Sequence, residues 1–147
     1  MDKGSQYFQT QAADGASQSG TPLDGATTIT GASFTTAGMF AGDLDRASIV
    51  VSCPSTGSPV GTIKIQGSLD ANQNVHGQRP DANVATWFTM PALDPVLATY
   101  VSAQTLNGAS TLTFFVNPCT VRWLRVVYTR TSGNIIPTVR CQRMGES

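Results

Sequence analysis

Glutamate occurs once in this sequence, at Glu146, and lysine only twice, at Lys3 and Lys64. These are the residues that cover exposed helix faces at little conformational cost, so the chain has almost nothing with which to surface a helix. Their place is taken by 19 Thr, 13 Ser, 14 Gly, 9 Gln and 6 Asn. Threonine and valine favour an extended, pleated backbone, and glycine favours the turns between strands. An all-helical fold is excluded, and 147 residues suffice for one domain with a modest core.

The hydrophobic pattern then places the strands. Residues 60–68 set Ile63 and Ile65 on one face and Thr62, Lys64 and Gln66 on the other, the period-2 signature of a half-buried strand. Residues 47–53 align Ile49, Val51 and Cys53 and stop at Pro54-Ser55-Thr56-Gly57. Residues 27–36 form a weaker, Thr-rich candidate, residues 84–90 carry Trp87 and Phe88, and residues 96–99 predict one helical turn. Asn107-Gly108, between residues 100–106 and 109–116, predicts a tight hairpin, because that turn needs φ > 0 at both central positions. In residues 121–130, Leu124, Val126 and Tyr128 share one face and Val121, Trp123 and Val127 the other, which predicts a central strand covered on both sides. Pro137, lacking an N–H, puts the last strand, residues 135–141, at an edge or a bulge. The sum is an all-β sandwich or jelly roll of about 7–8 antiparallel strands over residues 27–147. Residues 1–26, with only Tyr7, Phe8 and Leu23 as sizeable apolar groups, read as an extended or flexible arm, either disordered or ordered against a partner.

The chemistry of catalysis is missing. The one histidine, His76, lies in a polar loop over residues 69–83, with no closely spaced second ligand for a metal. No nucleophile elbow, dinucleotide fingerprint or phosphate loop is present, and most Asp residues fall at turns. The expectation is a protein that is not an enzyme and takes no cofactor and no metal. Cys53, Cys119 and Cys141 are odd in number and form no CxxC pair, so reduced buried thiols are expected. The opening Met1-Asp2-Lys3-Gly4-Ser5-Gln6 lacks the apolar stretch of a secretory signal, which points to synthesis in a cytosol. No run reaches the roughly 18 apolar residues of a membrane helix, so no membrane contact is expected.

Charge is divided along the chain. Residues 1–121 hold eight Asp against Lys3, Arg46, Lys64 and Arg79, a net −4. Residues 122–147 hold Arg122, Arg125, Arg130, Arg140 and Arg143 against Glu146, a net +4. With the total at zero, direct nucleic-acid binding is not expected, and the five arginines become candidate interface anchors. Tyr7 and Phe8 are the candidate apolar pegs of the arm. Neighbours such as Phe114 with Phe115, or Trp87 with Phe88, point to opposite strand faces. One of each pair therefore needs cover from a second sheet or another subunit.

Two segments carry a resemblance. Val121-Arg122-Trp123-Leu124-Arg125-Val126-Val127-Tyr128, ending in the turn Thr131-Ser132-Gly133-Asn134, is similar to a strand and turn of small structural proteins of tailed-phage virions. Gly61-Thr62-Ile63-Lys64-Ile65-Gln66-Gly67-Ser68-Leu69-Asp70 looks like the matching upstream strand. The resemblance spans roughly residues 45–141. It implies a capsid cement or decoration protein: a jelly-roll module made in the host cytoplasm, resident on the outer virion surface and bound to the major capsid protein. It also implies self-association, with a homodimer favoured and a trimer possible. The alternative is a carbohydrate-binding or host-recognition β-sandwich of a fibre or tail structure, with an exposed Trp87 flanked by Asn72, Asn74 or Asp70.

Overall fold

In the computed structural model, residues 5–9, 22–25, 29, 33–41, 46–53, 58–69, 86–116 and 119–144 are described. They form twelve strands and no helix: β1 (Ser5–Tyr7), β2 (Phe34–Thr35), β3 (Met39–Phe40), β4 (Arg46–Cys53), β5 (Val60–Ser68), β6 (Phe88–Met90), β7 (Ala92–Asp94), β8 (Thr99–Val101), β9 (Gln104–Asn107), β10 (Ser110–Val116), β11 (Trp123–Ser132) and β12 (Thr138–Met144). Two antiparallel sheets make an all-β sandwich. The first runs β1-β12-β4-β10-β7-β8; the second runs β2-β11-β5-β6, with β3 also on β11 and β9 also on β5.

Alternation along the long strands fills the space between the sheets. The first sheet contributes Ile49, Val51, Phe114, Val116, Val139 and Cys141, and the second contributes Ile63, Ile65, Leu124, Val126 and Tyr128. Polar groups that enter this layer are matched. The Gln104 side-chain amide donates to the Thr113 carbonyl at 2.7 Å, tying the second sheet to the first. The buried Thr36 hydroxyl accepts the Val126 N–H at 2.9 Å, and the Thr36 N–H donates to the Val126 carbonyl at 2.9 Å. Gly61 lies under the Tyr128 ring and against the Thr129 carbonyl, where a Cβ has no room.

β11 is central in its sheet, with β5 along one edge and β2 and β3 along the other. The expected cover over its second face is partial, since Trp123 is buried but Val127 is half-buried and Thr129 exposed. Two expectations are corrected, the Asn107-Gly108 hairpin and the edge position of the last strand. Asn107-Gly108 does not close a hairpin: β9 pairs with β5, whereas β10 pairs with β4 and β7. Of the two turn residues only Gly108 has positive φ, at +74°, and its N–H donates to Pro59 at 2.7 Å. The turn is a corner that carries the chain from one sheet to the other. Residues 95–98 form the single turn expected near here, one residue ahead of the expected span, and it joins β7 to β8. The last strand is internal, because β1 adds to its outer side and Pro137 falls just ahead of it.

The first 26 residues are joined to the domain wherever they are described. Ser5–Tyr7 pairs with Arg140 to Gln142 of β12. The Phe8 N–H donates to the Val139 carbonyl at 2.9 Å, and the Leu23 N–H donates to the Phe8 carbonyl at 2.8 Å. Both Phe8 and Leu23 are core residues.

Candidate functional site: two outward sheet faces

In a two-sheet sandwich the inward residues build the core, and the opposite parity of each strand makes an outward face. Register lays out that of the first sheet in rows. One row reads Tyr7, Arg140, Val50, Thr113 across β1, β12, β4 and β10. The next reads Gln142, Ser48, Phe115, Leu93, Tyr100 across β12, β4, β10, β7 and β8. Phe115 and Leu93 are half-buried and Tyr100 is 60% exposed, so an apolar stripe runs outward to the edge strand.

At the end of the β7–β8 pair, the turn that joins the two strands exposes Val96, 89%, and Leu97, 63%. The turn is built rather than loose. Asp94 Oδ1 accepts the Val96 N–H at 2.9 Å and the Leu97 N–H at 3.4 Å. The Ala98 N–H donates to the Asp94 carbonyl at 2.7 Å, with Ala98 held at φ +57°. A buried carboxylate thus fixes two aliphatic side chains in water, which costs hydration free energy without filling the core.

The outward face of the second sheet has another character. Thr89, Gln66 and Arg125 form one row across β6, β5 and β11, and Lys64 with Val127 and Thr35 forms the next. The Arg125 Nε donates to Gln66 Oε1 at 2.7 Å. Its guanidinium carbon stands 4.3 Å from the centroid of the Trp87 ring, a cation–π stack. Burial lowers the Arg125 pKa, so the charge is partly stripped of water.

The sequence candidates do not form one cluster. Tyr7, 43% exposed, and Arg140 are opposite each other on the first face. Arg125 is on the second face. Arg122 is exposed at the entrance to β11, and Arg130 is exposed near its end, where its Nε donates to the Gly133 carbonyl at 3.0 Å. Arg143 belongs to β12, and its side chain lies outside the described residues. Phe8 is not a peg toward a neighbour: it is 1% exposed and sits in its own domain's core. Val96 and Leu97 fall in the expected turn over residues 96–99 and Tyr100 opens the expected strand over residues 100–106, and in neither place does the sequence pattern mark an apolar side chain as outward. The available signal was Pro95 with two flanking aliphatics, an apolar pair placed at a break.

The three cysteines are free and buried. Burial raises the Cys53 thiol from its ordinary 9.0 to about 11 and raises Cys119 as well. Among the described residues, no three His, Cys, Asp or Glu side chains gather to hold a metal ion. His76 and the proposed flankers of Trp87 (Asp70, Asn72 and Asn74) lie outside the described residues.

No family model and no curated protein matches this chain. Among solved structures it is similar to the SPBc2 prophage-derived protein YomS, at 11% identity and a TM-score of 0.48, over 93% of this chain and 89% of that one. It is also similar to the xylan-binding domain of a CBM 22 module, at 13% identity and a TM-score of 0.42, over 100% and 99% of the two chains. A CBM35 from Paenibacillus barcinonensis aligns at 11% identity and a TM-score of 0.28, over 94% and 93%. At these values the likenesses carry no conclusion about ligand or partner.

Proposed function

We propose that this protein is a non-catalytic structural component of a tailed-phage virion, a cement module on the outer surface of the major capsid protein shell. In this reading it bridges neighbouring capsomers as a homo-oligomer, with a dimer favoured. The observation that carries the docking is the apolar stripe Phe115–Leu93–Tyr100 together with the exposed Val96 and Leu97 on a turn fixed by Asp94. Protein interfaces concentrate such aromatic and aliphatic anchors at their centres. Arg140, beside Tyr7 on the same face, supplies a rim cation. The resemblance to phage structural proteins gains coherence from register, because Gly61–Ser68 and Trp123–Ser132 are paired neighbours at the centre of one sheet. Many weak identical contacts on a shell add through avidity.

The test is light scattering on the purified chain, followed by co-sedimentation with empty shells of the major capsid protein. Wild type is expected to be a discrete oligomer that saturates the shells. The pair Val96→Asp and Leu97→Asp is expected to weaken binding at least tenfold with the melting temperature unchanged. A folded wild type that ignores shells, or a double variant that binds as well as wild type, overturns the reading.

A further inference from the structure

The outward face of the second sheet is unused by shell docking, and it holds a receptor geometry. Arg125 is fixed twice: Gln66 Oε1 takes its Nε proton at 2.7 Å, and the Trp87 ring lies 4.3 Å away. Among the described residues no other acceptor meets its guanidinium. A planar guanidinium held by its Nε and its stacking partner is a preorganised fork for a carboxylate.

Among the described residues, charge on this face is one-sided. Lys64 is two residues from Gln66 on β5, and is therefore the diagonal neighbour of Arg125, with Cβ atoms roughly 7 Å apart. The described acidic side chains, Asp24 and Asp94, belong to strands and bridges of the other sheet. Two cations side by side, with no acid between them among the described residues, repel, and an anion bound between them removes the repulsion. The rows around this pair carry hydroxyl groups: Thr89 beside Gln66 in the Arg125 row, and Thr62 opposite Thr129 two rows away, past Lys64 and Val127. All three threonines are exposed.

We infer that this face binds an acidic saccharide, with the Arg125 fork and Lys64 taking a uronate carboxylate and the half-buried Trp87 indole packing against the sugar ring. The indole suits a pyranose's C–H surface, and the threonines and Gln66 suit its hydroxyls. A nucleic acid would ask for a basic chain, and this one is neutral overall. An acidic peptide would satisfy the fork but leave the aromatic and hydroxyl row unused.

The experiment is isothermal titration calorimetry of the full chain with two probes, oligogalacturonate and hyaluronan oligosaccharide. Controls are a neutral xylo-oligosaccharide of equal length, poly-glutamate and a single-stranded oligonucleotide. At least one uronate probe is expected to bind at least tenfold tighter than the neutral sugar, weakening as salt rises. Arg125→Gln and Trp87→Ala should each lower that affinity at least tenfold. Arg125→Lys, which keeps the charge but loses the fork, should lower it severalfold, and Arg140→Gln on the opposite face should leave it unchanged. Circular dichroism melts confirm that each variant is folded, and a variant that fails to fold is replaced by Gln66→Ala, which releases the Nε contact alone. No binding of either uronate, equal affinity in folded Arg125→Gln, or tighter binding of poly-glutamate or the oligonucleotide overturns the inference.

Discussion

Phe8 is the residue whose role separates a detachable arm from an integral strand, and Phe8→Ala measures it directly. The side chain is 1% exposed and packs in the common core with Leu23 and Val139. Truncating a buried Phe to Ala removes the transfer free energy of the ring and leaves a cavity, together about 3–5 kcal/mol. A domain of this size is stable by about 5–15 kcal/mol, so the loss is a large share. With a urea m-value of about 2 kcal/mol/M, the midpoint falls by about 1.5–2.5 M. The assay is urea unfolding followed by tryptophan fluorescence, with Tyr7→Ala as the neighbour control. Tyr7 is on the same segment but 43% exposed, so its truncation should cost less than about 1 kcal/mol. If Phe8→Ala shifts the midpoint no more than Tyr7→Ala does, the N-terminal segment is not part of the core and the reasoning fails. The same argument predicts that deleting residues 1–9 destabilises the domain at least as much. That deletion also removes β1 and the 2.8 Å bond from the Ala37 N–H to the Gln9 carbonyl.

Other perturbations read other parts of the sandwich. Gly61→Ala forces a methyl into the Tyr128 ring and the Thr129 carbonyl, and should cost about 1–3 kcal/mol in a thermal or urea melt. Asp94→Ala removes the acceptor of the Val96 and Leu97 N–H groups; a stability loss of about 1 kcal/mol should accompany weaker shell binding with the apolar side chains still present. Cys53 has its folded pKa raised above the unfolded value, so the folded state holds the thiol proton more tightly. The resulting stability is fully present below pH 9 and is lost as pH rises from about 9 to about 11, and Cys53→Ala should flatten that slope in urea midpoints. With Cys53, Cys119 and Cys141 buried, Ellman's reagent should label none of them quickly at neutral pH in the native protein and all three in denaturant.

The long strands were legible because each buries one face along its whole length. β5 spans the residues that the 60–68 alternation marked, and β4 begins one residue ahead of its expected start. Strands of two or three residues, such as β2, β3, β7 and β8, cannot display a period, so no alternation marks them. The Asn107-Gly108 cue failed for a different reason. It reports that the chain turns tightly, not that the two arms pair, and here their partners lie in opposite sheets. Pro137 misleads about the last strand because the fold meets its missing N–H by starting the strand at Thr138, after the proline, so the strand itself can be internal. The charge split proved a poor guide to place. Arg125 and Arg140 are close in sequence, yet the fold puts them on outward faces of different sheets, since linear charge does not record which sheet a strand joins.

That separation makes the two proposed activities independently testable within one molecule. Val96 and Leu97 lie on the β7–β8 turn at the edge of the first sheet, while Trp87, Gln66 and Arg125 meet on the outward face of the second. Substitutions on separate surfaces sharing no partner should act additively. The Val96→Asp and Leu97→Asp pair is therefore expected to weaken shell binding at least tenfold while leaving uronate affinity at its wild-type value. Arg125→Gln should do the reverse. If either variant moved both readouts, the two faces would not be separate surfaces, and a single interface or a linked oligomer would have to account for both. If each moves only its own, a shell-bound copy keeps its second face open to the surroundings, and a saccharide can be bound there without loosening the shell.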